Sequence, residues 1–224
     1  MDFPIDKLIV VLLVVYTITL HELAHAWAAT WAGDPTPGKH CRLTWNPIVQ
    51  LHPVYSVAMP LITYILNGWP IGFAYCPIDP SRFRKPLRDR ALVGLAGPLV
   101  NFAVSLLCVG LMWLPFVVRP DLEDGANATI LFGLAFWNLL LGLFNMLPLP
   151  GLDGYDVIRP ILPLAIRHPL DRFRTMGFLP LLLALMVGGR LLGLVATPAI
   201  QFFLAILPAH VDAYELFHYW LGRG

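Results

Sequence analysis

The chain has 224 residues, of which 58% are hydrophobic and 13% charged, and its formal net charge is +1. Soluble domains carry roughly 25% charged residues, so this composition excludes an ordinary soluble domain. The near-zero net charge and the lack of a basic stripe indicate no nucleic-acid partner, and three scattered cysteines without a CxxC pair indicate no disulfide framework.

Hydrophobic segments follow one another along most of the chain. The first runs from about Ile5 to Ala32, and Pro53–Ile71 follows it, interrupted by two prolines and a glycine. Ala91–Val118 and Gly125–Leu152 are each 28 residues long without Asp, Glu, Lys or Arg, whereas a span needs about 20 such residues. The last, Gly177–Pro208, is split by Gly-Gly-Arg into either two short segments or one kinked helix. The sequence predicts an all-α polytopic membrane protein with about 4–6 transmembrane segments.

The charges between these segments predict their orientation. Ile78–Arg90 carries five basic residues against two acidic ones, Arg159–Arg174 carries four arginines against Asp171, and Arg119–Gly125 is acidic. Positively charged loops stay on the cytoplasmic side of a membrane. We therefore expect a multi-pass protein of the inner or plasma membrane, in which the third hydrophobic segment runs outward and the fourth returns inward.

The pattern HExxH lies within the first hydrophobic segment. His21 and His25 are four residues apart, so in a helix both imidazoles lie on one face and can reach a single metal ion. Glu22 is offset to the side, where it can act as a general base on an attacking water. An alternative is a histidine pair stacked against a neighbouring carboxylate in a proton relay, although such a relay does not require this spacing.

A catalytic zinc site usually has three protein ligands, and Asp153 is the third candidate. It ends an uncharged run in Asn145–Gly154, where two prolines and two glycines unwind the helix. Unwound backbone inside a membrane is tolerated only where protein or water satisfies it, so a broken helix here would present a carboxylate at a wet internal site. A plain helix-terminating turn is the alternative for this segment. The other histidines outside HExxH fall in polar or terminal segments: His40, His52, His168, His210 and His218.

Together these motifs resemble the site-2 protease family of intramembrane zinc metalloproteases, in its short bacterial type. The resemblance covers roughly Thr17 to Asp156, and its further motifs are GDPT, RLTWNP, SRFRKP and AGPLVN. It implies one zinc ion per chain, with these roles by position: His21, His25 and Asp153 as ligands, Glu22 and Asn145 as catalytic residues, and Asn101 in substrate binding. One departure is Tyr155, which follows Gly154 where similar proteins often have a second glycine.

The resemblance implies an intramembrane endopeptidase that cuts in or near transmembrane segments of membrane-tethered proteins, in regulated intramembrane proteolysis. We expect a single integral-membrane metalloprotease domain over residues 1–224, with a core of about 5–156 and C-terminal hydrophobic segments at about 177–208. Its partners would be a transmembrane protein substrate and the lipid bilayer, while the sequence does not reveal the oligomeric state. The alternatives are a non-proteolytic membrane metal-binding or transport protein, and an inactive relative of the proteases.

Depth in the membrane constrains the topology further. Because Asp153 lies at the inner end of an inward-running segment, His21 and His25 must lie at a similar depth, nearer the cytoplasmic side. The first segment should therefore also run inward, which places the N-terminus outside. Pro53–Ile71 would then begin and end on the cytoplasmic side, so we expect it to be a re-entrant or surface-lying element.

Overall fold

The computed structural model describes residues 5–40, 42–50, 76–118, 125–176, 179–209 and 211–221 of the chain. Within these ranges the secondary structure is helical, with no strand. The α-helices, in chain order, are α1 (Ile5–Ala32), α2 (Thr36–Lys39), α3 (Pro47–Gln50), α4 (Pro86–Val118), α5 (Gly125–Asn145), α6 (Asp153–Ile158), α7 (Leu164–Arg174), α8 (Leu179–Ala205) and α9 (Ala213–Trp220). The protein is thus the all-α polytopic membrane protein that the composition predicts.

Within the described ranges, three helices are long and apolar enough to cross a membrane: Ile5–Ala32, Pro86–Leu114 and Asn127–Asn145. The first contains neither glycine nor proline, and it ends where Gly33 adopts a φ of 109°, which glycine reaches without steric cost. α5 ends at Asn145, seven residues before the end of the uncharged segment Gly125–Leu152. It ends there because two prolines and the positive φ of Gly151 (104°) follow. The chain therefore unwinds between α5 and α6, as the sequence predicts.

Contacts between the spanning helices show how they run relative to one another. α1 and α4 are antiparallel, since His21 meets Asn101 whereas His25, further along α1, meets the earlier residue Val93. α9 packs against the first turns of both α1 and α5, so these two helices run in the same direction. These relative directions are the ones expected for the first, third and fourth hydrophobic segments.

The end of the bundle that carries HExxH is tied together by short polar contacts. Asp34, which is fully buried after α1, accepts hydrogen bonds from the backbone N–H groups of Thr36 (2.9 Å) and Asp79 (2.7 Å). The backbone N–H of Arg84 donates to the carbonyl of Ala32 at 3.0 Å. The segment preceding α4 is thereby fixed against the end of α1.

The opposite end holds the main apolar cluster. Its buried residues come from α1, α4, α5, α8, α9 and the turn after α8, and include Val10, Met112, Phe132, Phe136, Phe203 and Trp220. The indole N–H of Trp220 donates to the carbonyl of Thr129 at 3.2 Å, and the Tyr219 hydroxyl donates to Asp6 at 2.5 Å. The last helix thus closes the end of the bundle remote from the candidate site.

Two questions left open by the sequence have different outcomes. The C-terminal hydrophobic region forms one continuous helix, α8, which passes through the Gly-Gly-Arg sequence without a break. The expected re-entrant element, Pro53–Ile71, lies outside the described residues, as does the acidic loop 119–124. The two arginine-rich segments lie at the same end of the bundle, where Arg90 and Arg174 both bind Asp156.

Candidate metal centre

Three side chains converge where α1 and α6 approach each other. The Nε2 atoms of His21 and His25 lie 3.0 Å apart, and Oδ2 of Asp153 lies 3.1 Å from the first and 3.3 Å from the second. One ligand atom from each residue lies within 4.8 Å of the others. The three atoms therefore surround a common point that a single ion can occupy.

The other nitrogen of each imidazole is already occupied. Nδ1 of His25 lies 2.7 Å from the carbonyl oxygen of Val93, and Nδ1 of His21 lies 2.6 Å from Oδ1 of Asn101. Because both oxygens can only accept, each Nδ1 carries a proton, and in a neutral ring Nε2 is then the nitrogen with the free lone pair. The buried Oδ2 of Asp153 has no hydrogen-bond partner. Two imidazole nitrogens and a carboxylate oxygen that face one point fit a metal cation, and a His₂–carboxylate set is a zinc set.

Space for the ion depends on Gly97 of α4. A Cβ atom at this position would lie 2.3 Å from Nε2 of His25 and 2.5 Å from Nε2 of His21, closer than any side chain allows. Gly97 thus leaves the ligand face of both histidines free. The glycine of the AGP sequence that precedes Asn101 is therefore needed to leave room for the two histidine rings.

A cavity of about 580 Å³ opens at this point and is lined by two of the three ligands, His25 and Asp153. Its walls also carry charged side chains, namely Glu22, Asp156, Asp171, Arg90 and Arg174. Glu22 is buried, with 8% of its surface exposed, and it follows His21 directly on α1. A carboxylate, a metal-ligand set and a polar cavity therefore lie together inside the bundle, as hydrolysis requires.

Known proteins resemble this chain over most of its length. YwhC of Bacillus subtilis (strain 168), provisionally named a zinc metalloprotease, is 34% identical over 174 residues, which make up 75% of this chain and 76% of YwhC. The chain belongs to this zinc metalloprotease family. Rip2 of Mycolicibacterium smegmatis, with the same provisional description, is 32% identical over 166 residues, or 73% of this chain. The match covers 61% of that protein, which is less than two thirds of its length.

A further relative matches at lower identity. Zinc metalloprotease MJ0392 of Methanocaldococcus jannaschii is 25% identical over 152 residues, which are 67% of this chain and 33% of MJ0392. No protein-family model and no solved structure matches the chain. This membership confirms that the chain is a zinc metalloprotease, as its resemblance in HExxH and in Asn145–Gly154 implies.

In this zinc metalloprotease, α6 carries Asp153 and is held from two sides. Asp156, one turn along α6, accepts a hydrogen bond from Nε of Arg90 on α4 at 2.6 Å and another from Nη1 of Arg174 on α7. A Cβ at Gly94 would lie 2.9 Å from Cβ of Asp156, so α6 packs directly on the backbone of α4. These contacts hold Asp153 at the depth of the two histidines.

A second set of polar contacts joins α6 to α7. The hydroxyl of Tyr155 donates to Asp171 at 2.8 Å, and Arg159 forms a two-pronged pair with the same carboxylate at 2.7 and 2.8 Å. The hydrogen bonds from Arg159 and Tyr155 lower the pKa of Asp171 to about 2. Burial and the hydrogen bond to Asp171 raise the pKa of Tyr155 to about 12. Tyr155, a departure from the family pattern, is therefore a buried anchor of the segment that carries Asp153.

The sequence-predicted residues are placed as follows. His21, His25 and Asp153 come together, Glu22 lines the adjoining cavity, and Asn101 is fully buried against His21. Asn145 is the partly buried last residue of α5 and is not among the residues that line the cavity. Their catalytic, ligand and substrate-binding roles stay predictions.

Sequence reasoning missed Asn138 and Asp156. Asn138 is fully buried and bonded to Asn101, and its signal was an amide in the middle of α5, between two apolar stretches. The signal for Asp156 was its position three residues after Asp153, which places both on one face of a short helix. Neither signal identifies the partner, because that depends on how the helices pack.

Proposed function

We propose that the protein is an intramembrane zinc endopeptidase of the site-2 protease type, which hydrolyses peptide bonds in or near transmembrane segments of membrane-tethered proteins. The observation that carries the proposal is the convergence of His21, His25 and Asp153 beside Glu22, inside a bundle of membrane-spanning helices. One zinc ion per chain would be held by these three ligands within a single integral-membrane domain.

Glu22 is the proton carrier of the proposed reaction. When bound, zinc supplies Lewis-acid activation of the attacking water and of the scissile carbonyl. Glu22 accepts a proton from the water as the carbon–oxygen bond forms, and it returns that proton to the leaving nitrogen as the carbon–nitrogen bond breaks. Asn145 is proposed to donate a hydrogen bond to the scissile peptide from the unwound end of α5, where a neutral donor stabilises developing charge.

The position of the centre suggests the kind of substrate. HExxH lies in the later part of α1, which is long and apolar enough to span a membrane, so a chain segment that enters the bilayer can reach it. A transmembrane helix must unwind locally before its peptide bonds become accessible, so we propose a transmembrane protein substrate and its regulated release.

The protein is proposed to lie in the inner or plasma membrane with its centre nearer the cytoplasmic side. Two arginine-rich segments flank the centre, and Arg90 and Arg174 meet there on Asp156. Positive charge of this kind is retained on the cytoplasmic side. On this proposal α1 and α5 run inward and α4 runs outward.

The discriminating experiment uses Glu22→Gln in the full-length protein, reconstituted with a synthetic single-span peptide whose centre contains Gly and Pro. Glu22→Gln is expected to keep its zinc but lose hydrolysis, because an amide cannot accept the proton. The matched control is Glu215→Gln, an exposed position on α9 at the remote end of the bundle, which is expected to keep both. Cleavage at the wild-type rate by Glu22→Gln would overturn the proposed mechanism, and a wild type that binds zinc without cleaving the peptide would favour the non-proteolytic metal-binding alternative.

A further inference from the structure

Two asparagine side chains lie fully buried between the spanning helices α4 and α5. Asn101 and Asn138 have no exposed surface, and Nδ2 of Asn101 donates to Oδ1 of Asn138 at 3.0 Å. An unpaired amide in such a place is costly, so buried polar groups of spanning helices are found bonded to one another. Here the pair is bonded at both ends, to His21 on one side and to the carbonyl of Leu134 on the other.

The direction of these hydrogen bonds is set at the Leu134 end. A backbone carbonyl can only accept, so Asn138 must direct Nδ2 toward Leu134, at 2.9 Å. Asn138 then presents Oδ1 to Asn101, which must donate Nδ2. Asn101 in turn presents Oδ1 to Nδ1 of His21, at 2.6 Å. Because that oxygen only accepts, the proton of the neutral His21 ring lies on Nδ1.

We propose that Asn101 and Asn138 form an amide relay whose function is to hold His21 in the Nδ1–H tautomer, with Nε2 free to bind the metal. The inference rests on the proposed zinc site and extends it to two positioning residues, neither of which lines the cavity. Hydrogen-bond acceptors at the second nitrogen of a metal-binding histidine fix both the tautomer and the orientation of the ring.

A comparison with His25 explains why two amides are needed. The Nδ1 atom of His25 faces the backbone carbonyl of Val93, which cannot exchange acceptor for donor. His21 faces an asparagine instead, and an amide rotated by half a turn would present its NH₂ group to Nδ1. The proton would then move to Nε2, the nitrogen that must be free. Asn138 prevents this rotation, because the carbonyl of Leu134 fixes its own orientation.

The tautomer can be measured directly in metal-free protein. Full-length protein with ¹⁵N-labelled histidine is stripped of metal with a chelator, and long-range ¹H–¹⁵N correlation spectra distinguish Nδ1–H from Nε2–H rings. The His21 signals are assigned by their loss in His21→Gln. The relay predicts Nδ1–H for His21 in the wild type and a mixture of tautomers in Asn138→Leu, where Asn101 is free to rotate. A wild-type ring protonated on Nε2 would overturn the relay, whether or not any variant folds.

Zinc affinity supplies the second readout. Asn138→Leu and Asn101→Leu are each expected to weaken zinc binding by about 10- to 100-fold, the usual loss when a histidine ligand is deprived of its outer partner. Adding Asn101→Asp to the Asn138→Leu variant should restore affinity, since a carboxylate accepts from Nδ1 in either orientation. The control is Ser105→Ala, a buried polar position one turn along α4, which should leave affinity and tautomer unchanged.

The outcomes separate the relay from the proposed function. A wild type that binds zinc, with an unchanged tautomer and affinity in Asn138→Leu, would refute the relay and leave the protease proposal standing. A wild type that binds no zinc, with a tautomer that changes in Asn138→Leu, would refute the zinc site and leave the relay standing. Failure of Asn101→Asp to rescue a folded Asn138→Leu variant would mean that Asn138 acts by packing, which contradicts the relay.

Discussion

Nε2 of His21 lies 3.1 Å from Oδ2 of Asp153, although the two residues belong to different helices, α1 and α6. α1 is long enough to span a membrane, whereas α6 has only six residues and cannot hold its position alone. Its placement comes from α4, on whose backbone it packs through Gly94. The proposed third ligand therefore depends on contacts that lie outside the ligand set itself.

Gly97→Ala should weaken zinc binding strongly, by displacing the two histidine rings rather than by breaking the helix. The new Cβ would lie 2.3 Å from Nε2 of His25 and would displace the ligand face of both histidines. Alanine is otherwise favoured over glycine within a helix by about 1 kcal/mol, so the fold itself should not suffer from the change. Zinc titration should show a loss of affinity of at least about 10-fold, as large as the loss seen when a metal-binding histidine is deprived of its outer hydrogen-bond partner.

Gly110→Ala is the matched control for this substitution. Gly110 lies on the same helix, α4, but nothing comes within 4 Å of a Cβ added there. Zinc affinity should therefore equal that of the wild type. If both alanine variants bound zinc equally well, the ion would not lie where the two Nε2 atoms meet.

Asp156→Asn should loosen α6 and weaken the metal centre. The substitution removes the charge that Arg90 and Arg174 share, while keeping the size of the side chain. We expect the free energy of unfolding to fall by about 2 kcal/mol and zinc affinity by roughly 10-fold. Chemical denaturation in detergent and zinc titration measure the two effects. Asp79→Asn, an exposed carboxylate at the same end of the bundle, should leave zinc affinity unchanged.

The pair between Arg159 and Asp171 should make stability depend on acid pH. The pKa of Asp171 is lowered to about 2 in the folded protein, chiefly by its hydrogen bonds from Arg159, against about 3.9 for an unperturbed aspartate. Since the folded pKa is the lower one, the stabilisation is fully present above about pH 4 and is lost as the pH falls toward 2. Asp171→Asn should lower the free energy of unfolding at pH 7 by about 1 kcal/mol or less. Between pH 6 and pH 2, the free energy of unfolding of this variant should fall less steeply than that of the wild type. A decline identical to that of the wild type would exclude this pair as its source.

Trp220→Ala should destabilise the bundle without affecting the metal centre. Trp220 is buried against α5, where a Cβ at Gly133 would lie 2.3 Å from its ring. Truncation leaves a cavity at the remote end and should cost about 3 kcal/mol in the free energy of unfolding. The zinc content of the folded fraction should remain at the wild-type value. A parallel loss of zinc would mean that the two ends of the bundle are coupled.

Much of the helical framework could be predicted from the sequence because long uncharged segments have few alternatives inside a membrane. The bounds of α1 agree with those expected, and the unwinding after Asn145 follows from its prolines and glycines. The spacing of HExxH likewise predicts that His21 and His25 share a face, as they do.

The supporting contacts could not be predicted, because they depend on which helix faces meet. No local pattern pairs Asn138 with Asn101, or Asp156 with Arg174, since these residues lie in different helices and come together only by packing. The course of α8 was also open, because a Gly-Gly-Arg sequence is compatible with either a break or a continuous helix. Tertiary contacts decide such cases.

The most direct test of the three-ligand centre is the zinc content of the purified full-length protein, measured beside His21→Ala and Asp153→Ala. A centre built from these three ligands should hold about one zinc per chain in the wild type and lose it in both variants, since a catalytic zinc site needs three protein ligands. A wild type without zinc, or an Asp153→Ala variant that retains the full amount, would contradict the three-ligand centre.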